Sequence, residues 1–176
     1  MKRTVVFVDG YNMIGSWPAL VHLKKKDEIQ AARDLLLFEL SNYRKYKGIE
    51  IIVVFDAQHV PGLTQNFEEY ELNVVFTQEG ETADSYIERT VKEYINPLTQ
   101  VIVATSDAAE QWMIFQQGAL RQSASELLMD INHSKNNIQK DIISYYSQIM
   151  RRRSPWEMDQ LELLDILRQE IESQDS

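Results

Sequence analysis

Cysteine is absent from the 176 residues, which removes disulfides, zinc–thiolate sites and cysteine nucleophiles from consideration. That absence fits a reducing compartment. Histidine is scarce: His22, His59 and His133 are scattered, so no pair of them points to metal-free acid–base chemistry, and each reads as a surface or loop residue. No apolar run approaches the roughly 20 residues of a membrane span. The opening run Thr4–Val8 follows Met1-Lys2-Arg3, is too short for the core of a signal peptide, and meets Asp9 at once. The expectation is therefore a cytoplasmic protein without a membrane partner. Internal repeats and low-complexity segments are also missing, and the length suits one domain with one sizeable core.

A basic excess is lacking too. The net charge of −9 argues against a simple nucleic-acid binder with a basic face. Its distribution softens the objection, because residues 155–176 hold seven acidic residues and one basic, leaving 1–154 with 20 acidic and 17 basic. Local basic runs remain at Lys24-Lys25-Lys26 and Arg151-Arg152-Arg153. Such runs are more often merely solvated than functional.

Four β-branched-rich runs stand out, Thr4–Val8, Ile49–Phe55, Leu72–Phe76 and Gln100–Thr105. Each is nearly continuous rather than alternating, as expected of strands buried on both faces of a parallel sheet. Helical spacing separates most of them. It predicts helices over Asp27–Tyr46, ended by Gly48, over Thr82–Tyr94, and over Asp107–Gln117 with Trp112 and Phe115 on one side. Ser123–Met150 reads as helical, with a break expected near His133–Asn137. Ser154-Pro155 interrupts the chain, and Trp156–Ile171 reads as a last, acidic, amphipathic helix. Alternating strands and helices indicate an α/β domain over 1–154 with a central parallel sheet and helices on both faces, and 155–176 as an appended helix.

The aspartates fall at telling places on this frame. Asp9 and Asp56 directly follow predicted strands, and Asp107 follows one after Ser106. Asp84 lies in the first turn of the helix after Leu72–Phe76. In open α/β sheets, ligands bind beyond the carboxyl ends of the strands. Each aspartate has an ordinary reading alone: a turn residue at Asp9, a helix-dipole partner at Asp84, a helix cap at Asp107. Their convergence on one edge favours a site. Clustered carboxylates repel and raise one another's pKa, and no lysine or arginine sits at the matching strand ends. A hard divalent cation, Mg²⁺ or Mn²⁺, is the natural counter-charge for Asp9, Asp84, Asp107 and Asp56, the last as a ligand or as support from behind.

The stretch Val8-Asp9-Gly10-Tyr11-Asn12-Met13-Ile14 resembles the opening motif of NYN domains, a branch of the PIN-like nuclease superfamily. Val54-Phe55-Asp56-Ala57, Glu81-Thr82-Ala83-Asp84 and Ala104-Thr105-Ser106-Asp107 match in order, and Glu110 to Arg121 is similar to the bacterial YacP-like subgroup. The resemblance covers roughly residues 3–150. It implies an α/β/α sandwich and a divalent-metal endoribonuclease that cuts messenger RNA in association with the ribosome, with no preference for DNA expected. By position, it assigns metal binding and catalysis to Asp9, Asp84 and Asp107 and a positioning role to Asn12, whose ordinary role would be a loop amide bonding its own backbone.

Asn12, Tyr11, Ser106 and Arg121 are the candidate substrate contacts. Arg121 fits a phosphate or a surface ion pair, and Tyr11 fits a base or a packing contact. Trp112 reads as core. Two other classes remain open: a metal-dependent phosphohydrolase, for which the second aspartate of an Asp-x-Asp is missing after Asp9, and a non-catalytic RNA- or ribosome-binding module on a nuclease-like fold.

Overall fold

Val5-Val6-Phe7-Val8 has no polar side chain to place, so its strand must be covered on both sides. It forms the middle of β1 (Arg3–Asp9), and the computed structural model buries all four side chains. That structure describes residues 2–57, 70–108 and 117–153, the last four by backbone alone. β2 (Glu50–Phe55), β3 (Asn73–Phe76), β4 (Thr99–Ala104) and β5 (Leu120–Gln122) complete a five-stranded sheet in the order β3-β2-β1-β4-β5, parallel throughout.

Alternate strand residues serve opposite layers. Val6, Val8, Ile51, Val53 and Phe55 pack with α1 (Gly10–Ser16), α2 (Pro18–Lys25), α3 (Ile29–Lys47) and the start of α5 (Ala124–Arg153). Val5, Phe7, Ile52, Val54, Val101 and Val103 face the other way, onto Ala83, Ile87 and Val91 of α4 (Ala83–Tyr94). The result is the expected α/β/α sandwich. β1 leads outward to β2 and β3, and the chain then returns to place β4 on the far side of β1. The strand order therefore reverses between β1 and β4, where an open sheet leaves a crevice at its carboxyl edge.

Local signals explain the element ends. Gly48 stops α3 in the left-handed region at φ 65°, donating its N–H to the Arg44 carbonyl at 2.9 Å. Thr82 caps α4 by accepting the Ser85 N–H at 3.2 Å. Ser123 and Glu126 form a reciprocal capping box on α5: the Ser123 N–H donates to Glu126 Oε2 at 2.7 Å and the Glu126 N–H to Ser123 Oγ at 3.2 Å.

The structure departs from expectation in three places. α1 and α2 occupy a stretch given no element, and β5 adds a fifth strand. The break expected at His133–Asn137 does not occur. α5 runs through it, with Ser134 Oγ donating back to the Asp130 carbonyl at 2.8 Å, and exposed polar residues cost a helix only tenths of a kcal/mol each. Most of the predicted Asp107–Gln117 helix, with Trp112, lies outside the described residues. So do His59, the helix predicted over Trp156–Ile171, and the expected domain boundary at 154/155. His22 and His133 are exposed.

Two compact units divide the chain, Met1–Ser134 and Lys135–Ser176, with their boundary inside α5. The part of α5 in the second unit exposes Ile142, Ile143, Tyr145 and Tyr146. Among the described residues no helix is long and apolar enough to cross a membrane.

The turn from β1 into α1 is sterically exacting. A Cβ on Gly10 would lie 2.3 Å from Cε1 of Phe55, whose ring is fully buried between Tyr11 at 5.2 Å and Phe76 at 5.5 Å between centroids. Gly10→Ala is therefore expected to lower unfolding free energy by about 2 kcal/mol or more, read by urea denaturation. Unchanged stability would show that the Phe55 ring can step aside.

Candidate active site

The carboxyl edge of the sheet is assembled from backbone geometry outward. Asp9 is the last residue of β1 and the cap of α1, its Oδ1 accepting the Asn12 N–H at 3.1 Å. The strand-to-helix switch holds the side chain at the edge yet only 9% exposed. Asp56 follows β2 directly, half-buried. Asp84 stands in the first turn of α4, exposed, near enough for its carboxyl to act on that of Asp9.

Two neighbouring carboxyl groups disfavour ionising together, and Asp9 is the buried one. Burial, followed by the charges and hydrogen bonding of Asp84 and then the charge of Asp56, pushes the Asp9 pKa up to about 6, against the lowering effect of the Asn12 N–H. The structure thus brings together Asp9, Asp84 and, by its field, Asp56.

Asp107 lies two residues past Thr105, which follows β4; its N–H donates to Thr105 Oγ1 at 3.2 Å. It shares the carboxyl edge by topology but is not among the groups acting on Asp9. Among the described residues, no three His, Cys, Asp or Glu side chains stand close enough to hold a metal ion as placed. The donor chemistry nonetheless fits a hard cation. A carboxyl whose pKa is raised by burial and by neighbouring carboxylates is an oxygen ligand that a divalent ion would hold as carboxylate.

Asn12 and Ser106 do more than the local bonding expected of a loop amide. Asn12 Oδ1 accepts the Ser106 N–H at 2.9 Å across 94 residues, and Ser106 Oγ accepts the Ala124 N–H at 3.2 Å. The two residues tie the end of β1 to the segment carrying Asp107 and to the start of α5. Tyr11 is half-buried with its ring edge on Phe55, so packing accounts for its orientation; burial pushes its hydroxyl pKa up. Arg121 lies in β5, paired with Val103, and lines a cavity with Thr4, Val6, Tyr43 and Lys47 on one face of the sheet. Its register is that of Phe7, short of Asp9 at the edge.

Two further residues support the site and carried no recognised motif. Thr77, buried just past β3, accepts the Ala57 N–H at 3.0 Å and donates to the Glu81 carbonyl at 2.7 Å. It couples the segment holding Asp56 to the one leading to Asp84. Arg33 is 7% exposed, and its guanidinium bonds to the Tyr11 hydroxyl while Nε and Nη1 have no partner among the described residues. Its signal was present: it interrupts the apolar stripe Ile29, Ala32, Leu36, Leu40, where a charge must be buried.

Comparison with known proteins gives a consistent result. The YacP-like NYN domain family matches residues 6–169. The uncharacterized protein YacP of Bacillus subtilis (strain 168) is 46% identical over 138 residues, 78% of this chain and 81% of the relative. The crystal structure of Rae1 (YacP) from Bacillus subtilis is similar at a TM-score of 0.71 and 40% identity, covering 94% of each chain. A point mutant of the same protein gives a TM-score of 0.72 at 43% identity, over 85% of this chain and 86% of that one.

Asp9 makes stability pH-dependent in a definite direction. The folded state keeps its proton up to about pH 6, whereas an unfolded aspartate releases it near pH 4. Without divalent ions, this group's contribution to stability is therefore lost as pH rises between about 4 and 6. Asp9→Asn keeps the cap acceptor and buries no charge. In EDTA it is expected to exceed wild type at pH 8 by on the order of 2 kcal/mol, with the gap closing near pH 4, as read by urea melts. A constant gap across that range would mean Asp9 is not the titrating group.

Arg33→Met is expected to leave stability unchanged or raise it by about 1 kcal/mol, because an apolar chain of similar length removes a buried charge with unmet donors. Thermal denaturation checks this; a large loss would mean that the guanidinium is fully satisfied.

Proposed function

The chain belongs to the YacP-like NYN domain family, a branch of the PIN-like nuclease superfamily, and from that premise we propose that it is a divalent-metal endoribonuclease acting on messenger RNA at the translating ribosome in the cytoplasm. The observation that carries the reading is the carboxyl edge, where buried Asp9 stands with Asp84 and Asp56, and burial followed by their charges raises its pKa to about 6.

Asp9, Asp84 and Asp107 are the residues to hold Mg²⁺ or Mn²⁺, with Asp56 as a further ligand or as support. A bound ion of this kind supplies an activated water at neutral pH and stabilises charge on the scissile phosphate, leaving a 5′ phosphate and a 3′ hydroxyl. The protein's share is placement. Asp9 is held by its cap bond, next to the tight Gly10–Phe55 contact. Asn12 locks the Ser106 backbone and so sets where the Asp107 segment begins. Thr77 does the same for the segments holding Asp56 and Asp84. Fixing ligands through backbone bonds keeps them in place when substrate arrives, which is where such sites gain rate. Asn12 and Ser106, flanking the crevice between β1 and β4, are the substrate-side polar groups; Tyr11 borders the same region.

The test maps RNA 5′ ends in a translating bacterial extract, comparing wild type with Asp84→Asn and running naked RNA alongside. New ends that need wild type, vanish in EDTA and fall about tenfold to a hundredfold or more in the variant are the expected result. The naked-RNA lane shows whether the ribosome is required. Equal patterns from wild type and variant would sink the catalytic reading and leave a binding module.

A further inference from the structure

The opposite edge of the sheet carries the reverse charge. At the amino ends of β1, β2 and β3 a groove of about 800 Å³ is lined by Lys2, Arg3, Arg44, Lys45 and Lys47, against two carboxylates, Glu50 and Glu71. Arg3 pairs with Glu50, and Arg44 and Lys45 share Glu71 at 3.4 and 3.6 Å. Five cations against two anions leave a positive surplus on a chain whose net charge is −9.

The C-terminal dipole of α3 accounts for Arg44, Lys45 and Lys47 as favourable neighbours. It does not account for Lys2 and Arg3, which come from a different element, or for the concave shape they share. Ion pairs this exposed are weak, so phosphate oxygens can take the place of Glu50 and Glu71 at little cost. β1 is seven residues long, which sets the groove about 20 Å from Asp9.

We propose that this groove is a second RNA-contacting surface, which holds the phosphodiester backbone of long or folded RNA while the strand to be cut lies at the aspartate edge. The proposal rests on the nuclease reading for its substrate class, but its binding test does not. A short oligonucleotide seated at the aspartates ends before reaching the groove, so only long substrates gain from it.

The experiment uses full-length protein carrying Asp84→Asn, so that RNA survives, and measures binding of a long fluorescent stem-loop RNA over a salt series. One variant adds Lys2→Glu, Lys45→Glu and Lys47→Glu; a control adds Lys92→Glu on α4 and Lys135→Glu and Lys140→Glu on α5, all exposed. Matched circular dichroism and melting curves establish that both fold. The groove variant is expected to bind roughly tenfold or more weakly at low salt, with the log–log salt slope shallower by about two, while the control stays near the parent.

An unchanged slope and affinity in the groove variant overturns the proposal, and so does an equal loss in both variants, which would mean undirected charge. Normal RNA binding combined with loss of ribosome co-sedimentation also overturns it, assigning the groove to a protein partner. In an active background the groove variant should cut a short single-stranded oligonucleotide at the wild-type rate and long RNA more slowly. Failure of both active proteins to cut anything would count against the nuclease reading alone, since binding is read separately.

Discussion

Burying a carboxylate is unfavourable, and the chain does it at the end of its central strand. Asp9 closes β1, which is covered by helices on both faces and flanked by β2 and β4, so its side chain has little access to water. Two outcomes can stabilise a group in that position: it keeps a proton, or it meets a cation. The raised pKa of Asp9, about 6, reflects the first. The second is available because Asp84 is exposed and Asp56 half-buried, so the cost of ionisation falls mainly on one member of the group. An edge with three equally solvated aspartates would repel an approaching phosphate without holding an ion strongly. Burial of one of them makes the empty state costly near neutral pH and therefore raises the gain on binding a cation.

The remaining architecture of that edge follows from keeping Asp9 still. Gly10 admits the Phe55 ring against the backbone, which brings β2, and with it Asp56, close under the start of α1. Asn12 then reaches across the crevice to Ser106, and Ser106 to the first N–H of α5. Trp17 adds a buried bond from its indole N–H to the Ala124 carbonyl at 2.8 Å. The elements meeting at the crevice are thus joined through backbone groups and short polar side chains. Such links lose little rotamer entropy on ordering and leave little slack, unlike lysine or arginine bridges.

What could be read from the sequence was what burial dictates. Continuous β-branched runs located four strands to within a residue or two, because a strand covered on both faces has little compositional freedom. Asp9, Asp56 and Asp107 were found from their places just past those runs. β5 escaped because Leu120 and Arg121 are exposed on an edge strand of three residues, where neither apolarity nor length marks it. α1 and α2 escaped because Trp17-Pro18 splits one helical stretch into two short helices, each below the length at which periodicity is distinct. Thr77 was illegible for another reason, and Arg33 showed only as a charge within an apolar stripe. Their roles are set by partners that meet only in three dimensions, Ala57 and Glu81 for the one and Tyr11 for the other.

Net charge proves to be the least informative of the sequence quantities, and the sheet explains why. Parallel strands send every carboxyl end one way and every amino end the other, so residues just before and just after strands are sorted to opposite poles. Asp9 ends a strand and Asp56 and Asp107 follow strands, whereas Arg3 begins one and Lys2 and the last turn of α3 precede them. The sum hides this separation, all the more because residues 155–176 contribute −6 of the −9. For a polyanion within a Debye length, about 8–10 Å, what acts is the local pole and not the total. An acidic chain can therefore turn one face toward phosphate and keep its acid cluster for an ion. The strand direction that places the aspartates is the same constraint that gathers the cations away from them.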